Sequence, residues 1–175
     1  MSFSILPPLL RRPLLRQLLA GLALAATLPA MAGDVDRVPR MSLELARDIA
    51  QQAVNACRSR GYNVSAVVVD RDGNVQVVLR DSRASRFTME LARRKANAVT
   101  LSGASGSEFR RARQDIRPEI NSVSELLMLE GAVPIRAAGV LLGAVGVSGA
   151  PGGDKDEICA AEAVAALQDR LEFAE

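Results

Sequence analysis

The sequence has 175 residues, of which 49% are hydrophobic and 24% charged, and it contains no histidine and no tryptophan. The missing histidine excludes a Ser-His-Asp triad, a Cys-His pair, a histidine zinc site and a histidine-ligated haem. The two cysteines, Cys57 and Cys159, form no CxxC pair, so we do not expect a thiolate metal site.

Residues 1–32 have the pattern of an export signal. Arg11 and Arg12 precede an apolar stretch at residues 17–28, which is too short to span a membrane. The small residues of Ala30-Met31-Ala32 fit a cleavage site. The arginine pair also fits the twin-arginine export motif, and the choice between the two export routes stays open.

The expected mature domain is residues 33–175, periplasmic or secreted, with no membrane span after cleavage of the signal. Three of the 22 basic residues and none of the 20 acidic residues lie in the signal, so this domain is close to neutral. A domain without a net positive field gives no support to nucleic-acid binding, and we expect no nucleic-acid partner.

Helical and strand patterns alternate in the first half of the domain. Ser42 suits the N-cap of a first helix with an apolar stripe, and Gly61 suits its C-terminal end. Residues 64–69 and 75–79 are β-branched runs joined by an Asp-Gly turn, which predicts a hairpin. A second helix is predicted from about residue 86 to residue 101.

The second half begins with two predicted helices and continues with a second hairpin. A charged helix is predicted at residues 107–117, ended by Pro118, and an apolar helix at residues 120–130. A strand starts near residues 133–135, and the last helix covers residues 154–173. Two hairpins surrounded by helices predict an α+β architecture built on an antiparallel sheet.

A glycine-rich junction stands between the last strand and the last helix. Residues 140–147 form a continuous apolar run, typical of a strand buried on both faces. The next six residues, 148–153, contain three glycines and a proline, and Asp154, Asp156 and Glu157 follow. Such a junction presents backbone N–H groups that can bind an anion. The alternative is a tight turn capped by its own aspartates, because no complete phosphate-binding motif is present.

Lys95 is one of two lysines in the sequence and shares a helical stripe with Phe87 and Leu91. A lysine on an apolar stripe either extends past the core to solvent or points into a pocket. The sequence leaves both readings open.

Several segments of the sequence resemble the GlcG/HbpS-like family, which includes the C-terminal domain of PduO-type corrinoid adenosyltransferases. The resemblance covers essentially all of residues 33–175, and the VSGAPGGDxDE string is its most specific part. It is carried by residues 131–136 (GAVPIR), 143–157 (GAVGVSGAPGGDKDE), Cys159, Ala160, 67–70 with Gly73 and Arg80, and 92–96.

The resemblance implies a profilin-like α+β fold with a five-stranded antiparallel sheet flanked by helices, and a homo-oligomer. Members are described as binding haem, or sometimes a corrinoid or iron, and some are called haem-degrading. We therefore expect an exported small-ligand-binding protein with haem or a related tetrapyrrole as its ligand, whose carboxylates would meet basic side chains. The expected pocket residues are Arg80, Lys95, Ser148, Gly149, Gly152, Gly153, Asp154, Asp156 and Glu157.

Two other functions remain open from the sequence. One is an enzyme acting on a small carboxylated or aromatic metabolite, with Lys95 as base or nucleophile and Asp156 or Glu157 as acid–base partner. The other is an oligomeric interaction scaffold without a ligand.

The sequence departs from the family at the residue expected to bind the haem iron. Haem binding in parts of the family is attributed to histidine, which this sequence lacks. Iron would then take Tyr62, a methionine such as Met89 or Met128, a cysteine, a threonine, a lysine or water. The residues do not decide among these.

The resemblance also bears on the cysteines, because in the fold that it implies the first and last helices can pack on the same face of the sheet. Cys57 and Cys159 could then approach each other, and an oxidising compartment would favour a disulfide. The alternative is two buried, reduced thiols.

Overall fold

The structure is a computed structural model, and it describes residues 38–172. The export signal predicted for residues 1–32 lies outside the described residues. The helices are α1 (Leu43–Arg58), α2 (Phe87–Ser102), α3 (Gly106–Ala112), α4 (Arg117–Ser122), α5 (Gly153–Ala165) and α6 (Gln168–Glu172), with a 3-10 turn at Gln114–Ile116. The strands are β1 (Ser65–Asp70), β2 (Val75–Arg80), β3 (Ala132–Ala137) and β4 (Val140–Ser148).

The strands form one antiparallel sheet in the order β2-β1-β4-β3. This confirms an α+β fold with helices around an antiparallel sheet, but the expected strand number of five is wrong. Within residues 38–172 the sheet has four strands, because only the two hairpins supply strands. Residues 123–131, between α4 and β3, lie along α2 instead, where Leu127 N–H donates to the Arg94 carbonyl.

The two faces of the sheet are covered by different helices. On one face, α1 and α5 pack over alternate side chains of β1 and β4, among them Val68 and Val145. On the other face, α2 packs over Val67, Val69 and Ala144. Strands buried on both faces require apolar side chains at successive positions, which explains the continuous apolar runs of β1 and β4.

The close approach of α2 to the sheet depends on Gly146. A Cβ atom at this position would lie 2.1 Å from the Ala92 carbonyl oxygen. Glycine therefore allows the backbone of α2 to rest directly on β4.

Local signals placed α1 correctly, but the helices after α2 differ from the prediction. Ser42 caps α1 by accepting a hydrogen bond from Leu45 N–H at 3.2 Å. Pro118 does not end a helix but lies in the first turn of α4, where its missing N–H costs nothing. The helix predicted at residues 120–130 is wrong beyond Ser122.

The last helix is also interrupted. The prediction of one helix over residues 154–173 is replaced by α5, which ends at Ala165, and a separate α6.

Cys57 of α1 and Cys159 of α5 form a disulfide with a Cα–Cα distance of 5.4 Å. This distance lies inside the usual range for disulfides. Both residues are fully buried in the cluster between α1, α5 and the sheet. The bond therefore ties together the two helices that cover this face.

Candidate functional site

Lys95 and Asp156 form a buried ion pair beneath the glycine-rich loop, residues 148–153. The Lys95 Nζ lies 2.9 Å from Asp156 Oδ2 and donates a second hydrogen bond to the Val147 carbonyl at 3.1 Å. The two side chains are only 2% and 4% exposed. The sequence left open whether the Lys95 side chain extends to solvent or points into a pocket. In the structure it does neither, because its ammonium group is buried in the ion pair.

The ion pair fixes the shape of the loop. Asp156 Oδ1 accepts a hydrogen bond from Ala150 N–H at 2.9 Å, so one carboxylate holds both Lys95 and the loop backbone. Burial raises the pKa of the Asp156 carboxyl above its ordinary value, against the lowering effects of Lys95 and the Ala150 N–H. Gly131, at φ +120°, leaves the space that the ammonium occupies, since a Cβ there would lie 2.6 Å from Nζ.

Glu157 connects three elements at the same junction. Its Oε2 accepts hydrogen bonds from Gly131 N–H at 2.9 Å and from Ser107 N–H at 3.0 Å. A side chain of α5 thereby satisfies a backbone donor at the start of β3 and another at the start of α3. This pattern indicates a positioning role for Glu157.

Replacing Glu157 by alanine is expected to lower the free energy of unfolding by about 1–3 kcal/mol, because two backbone donors lose their acceptor. Glu157→Gln keeps an oxygen acceptor and should cost less. Asp154→Asn is the control, since Asp154 is exposed on the same helix. Urea unfolding of the three variants measures the differences, and an equal loss in all three would contradict the positioning role.

Among the remaining predicted pocket residues, Arg80 lies apart from the others, which are in or beside the glycine-rich loop. Ser148 is buried at the end of β4, and Asp154 is exposed. Arg80 lies two strands away from Ser148, because both pair with Ser65 of the central strand β1. The Arg80 guanidinium donates to the carbonyls of Asp81 and Ala84. That these residues bind a ligand stays a prediction, and in this structure they do not surround one cavity.

A cavity beside the glycine-rich loop is open, and five of its seven lining residues are polar or charged. We call it the polar cavity, and its volume is about 470 Å³. Arg111, Glu130 and the predicted residues Asp154 and Glu157 contribute charged groups to its walls. The full lining is Ser107, Arg111, Glu130, Asp154, Glu157, Ile158 and Ala161.

A second cavity, which we call the apolar cavity, lies between the end of α2, α3 and the start of α4. Its volume is about 460 Å³, and aliphatic and aromatic side chains form most of its wall. Arg113 and Glu108 are its charged members. The full lining is Leu101, Ser102, Ala104, Glu108, Phe109, Ala112, Arg113, Ile116 and Ile120.

The apolar cavity was not predicted from the sequence. The available signal was the set of apolar residues within the charged stretch after α2, namely Phe109, Ile116 and Ile120. Phe109 packs with Ala98 and Met128 in a third core cluster, and Ile116 and Ile120 pack against it.

Leu101 extends the apolar surface to a third cavity at the β1–β2 turn. Leu101 is 58% exposed and lines both this cavity and the apolar cavity. The third cavity also has a volume of about 460 Å³ and is lined by Arg71, Asp72, Gly73, Asn74, Asn97, Thr100, Leu101, Val123, Glu125 and Leu126.

Within residues 38–172, no three His, Cys, Asp or Glu side chains converge as ligands of a metal ion. In the same part of the chain, each helix is too short or too polar to cross a bilayer.

The fold is an α+β domain whose antiparallel sheet carries α1 and α5 on one face and α2 on the other, with an ion-paired glycine-rich loop at the end of β4. The chain belongs to the HbpS-like family, whose model, described as haem degrading protein HbpS-like, matches residues 41–165. This confirms the family inferred from the motifs.

Solved structures share this fold. A double mutant of Streptomyces reticuli HbpS is 36% identical, with 82% of this chain and 97% of that chain covered and a TM-score of 0.72. A complex of PduOC with haem is 22% identical, with 73% and 95% covered and a TM-score of 0.65. The Klebsiella pneumoniae protein ORFY is 21% identical, with 79% and 98% covered and a TM-score of 0.72. Comparison with curated protein sequences finds no significant match.

Proposed function

We propose that this chain is an exported tetrapyrrole-binding protein, with haem as the leading ligand, and that the apolar cavity receives the ring. The family description and the haem complex of a similar fold support the ligand class. The observation that carries the site is an apolar cavity with an arginine at its edge. Ligand sites are commonly concave and mostly apolar, with a few polar groups that fix orientation.

The chemistry of a tetrapyrrole suits both parts of this cavity. Leu101, Phe109 and Ile116 offer apolar contact to the ring face. The side chain of Arg113, about half of which is exposed, pairs with the exposed Asp115, and a propionate of the ligand could take the place of that surface carboxylate. The polar cavity offers less, because its acidic residues Glu130, Asp154 and Glu157 would repel an anionic ligand.

The geometry around Lys95 favours ligand binding over the enzyme alternative. A base or Schiff-base nucleophile needs an amine that the substrate can reach. The Lys95 ammonium is buried and bonded to Asp156 and to the Val147 carbonyl.

Export and self-association belong to the same proposal. The Cys57–Cys159 disulfide supports an oxidising compartment. β2 is an edge strand, and Val75 and Val78 on it are 45% and 44% exposed. An edge strand with exposed apolar side chains favours pairing with another chain, which supports the proposed homo-oligomer.

The site is tested by the substitution Leu101→Glu. We expect the dissociation constant for haem to rise about tenfold to a hundredfold, because an apolar contact worth about 1.5–3 kcal/mol is lost. The introduced carboxylate also repels propionates. Titration followed at the Soret band measures the change.

Two matched variants complete the experiment. Leu43→Glu is the control, because Leu43 is 59% exposed on α1, whereas Leu101 is 58% exposed on α2. Its haem affinity should stay at the wild-type value. Ile158→Glu alters the polar cavity. If haem affinity falls in Ile158→Glu but not in Leu101→Glu, the ligand binds beside the glycine-rich loop and not in the apolar cavity.

A further inference from the structure

The apolar cavity suits the ring of a haem, but the residues that line it offer the iron none of its usual axial ligands. No histidine exists in the sequence, and the two cysteines are bonded to each other. The Lys95 Nζ is buried and already donates hydrogen bonds to the Asp156 carboxylate and the Val147 carbonyl. Among residues 38–172, the common nitrogen and sulfur donors of haem proteins are therefore missing or already occupied, apart from methionines and Lys155.

Within residues 38–172, no methionine lines the candidate site. Met41 and Met128 are 4% and 1% exposed inside core clusters, and Met128 packs with Phe109 behind the wall of the apolar cavity without lining it. Met89, which is half-buried, lines none of the three cavities, and neither does Lys155. Tyr62, the sole tyrosine, packs against the core cluster on the α1 face of the sheet, whereas the apolar cavity lies beside α2.

The side chains that line the apolar cavity offer oxygen donors only. The Glu108 carboxylate accepts a hydrogen bond from Ser105 N–H at 3.0 Å in the capping box of α3. The Ser102 hydroxyl donates to the Ala104 carbonyl at 3.3 Å and accepts from Ala104 N–H at 3.2 Å. The Ser102 hydroxyl and Glu108 Oε2 already serve the backbone, and a carboxylate such as that of Glu108 is not among the usual axial ligands of haem iron.

We infer that this chain binds a tetrapyrrole through the ring and its carboxylates and not through the metal. This inference rests on the proposed function and names its ligand class more closely: dicarboxylic porphyrins irrespective of their metal, with metal-free protoporphyrin IX bound as tightly as haem. A second copy of the chain in an oligomer would add no histidine.

The experiment titrates the oxidised full chain with haem, zinc protoporphyrin IX and metal-free protoporphyrin IX, followed by Soret absorbance. We expect the three dissociation constants to agree within about threefold, a difference of less than 1 kcal/mol. Leu101→Glu should weaken all three by the same factor, and Leu43→Glu should weaken none. Bound ferric haem should also accept added imidazole, because the protein leaves its iron open.

The outcomes separate this inference from the function that it rests on. Haem bound at least about tenfold more tightly than the metal-free ring, or a bound haem that refuses imidazole, would show that the protein ligates the iron and overturn the inference alone. Failure of all three porphyrins to bind saturably would overturn the proposed function together with the inference.

Discussion

Replacing Lys95 by methionine is expected to lower the free energy of unfolding by about 3–5 kcal/mol, because the change leaves the Asp156 carboxylate buried without its cation. The two side chains are 2% and 4% exposed, so water cannot replace the lost partner. Methionine keeps an unbranched apolar stem of similar length in the same space. Chemical unfolding of the purified protein measures the loss.

The chain provides a control for this substitution in its other lysine. Lys155 is partly exposed and has a single long contact, 3.5 Å from its Nζ to the Pro151 carbonyl. Lys155→Met is therefore expected to change the stability by less than about 0.5 kcal/mol.

A double variant separates the ion pair from simple packing. Lys95→Met combined with Asp156→Asn removes both charges and keeps an oxygen that can accept from Ala150 N–H. We expect it to recover much of the lost stability, since a buried pair is often replaced by neutral groups at little net cost. A loss below about 1 kcal/mol for Lys95→Met alone would mean that Lys95 is not locked in the ion pair and would reopen the enzyme alternative.

Removal of the disulfide is the second large effect. The double variant Cys57→Ala and Cys159→Ala is expected to lose about 2–5 kcal/mol. The bond closes a loop with a sequence separation of 102 residues, and the chain-entropy model gives about 4.7 kcal/mol for a loop of this length. Thermal unfolding of the wild type with and without reductant should reproduce the difference.

Thiol counting checks the same bond in an oxidising compartment. Protein exported to the periplasm of an expression host and unfolded without reductant should show no free thiol. Two titratable thiols in that sample, or an unchanged stability after reduction, would contradict both the disulfide and the support that it lends to export.

The parts of the fold that the sequence predicted are those with local signals. Ser42 predicts the start of α1, because its hydroxyl caps the helix by accepting from the N–H group three residues later. The Asp-Gly turn predicts the first hairpin, because its geometry is set by neighbouring residues. The β4 run is readable for the same reason, since burial on both faces leaves only apolar side chains along it.

The errors arise where distant contacts override local pattern. Residues 123–131 have a helical composition, but Leu127 bonds to the Arg94 carbonyl and Met128 N–H donates to Asn121 Oδ1 at 2.8 Å. These contacts hold the segment as a loop against α2. The strand count came from the resemblance, and no residue pattern in the chain supported a fifth strand.

The candidate site was predictable only in part. The glycine-rich loop and its acidic residues were readable from sequence, but the partner of Asp156 lies 61 residues away and no spacing rule connects them. The apolar cavity forms where α2, α3 and α4 meet, so its residues share no local motif. A single sequence identifies such a site only through the fold.

Native mass spectrometry of the oxidised protein, incubated with haem, tests the central claim most directly. The account predicts a homo-oligomer that gains the mass of one tetrapyrrole for each chain, with the Leu101→Glu variant losing this added mass and the Leu43→Glu variant keeping it. Chains that remain free of ligand at every haem concentration, or that bind equally with glutamate at position 101, would contradict it.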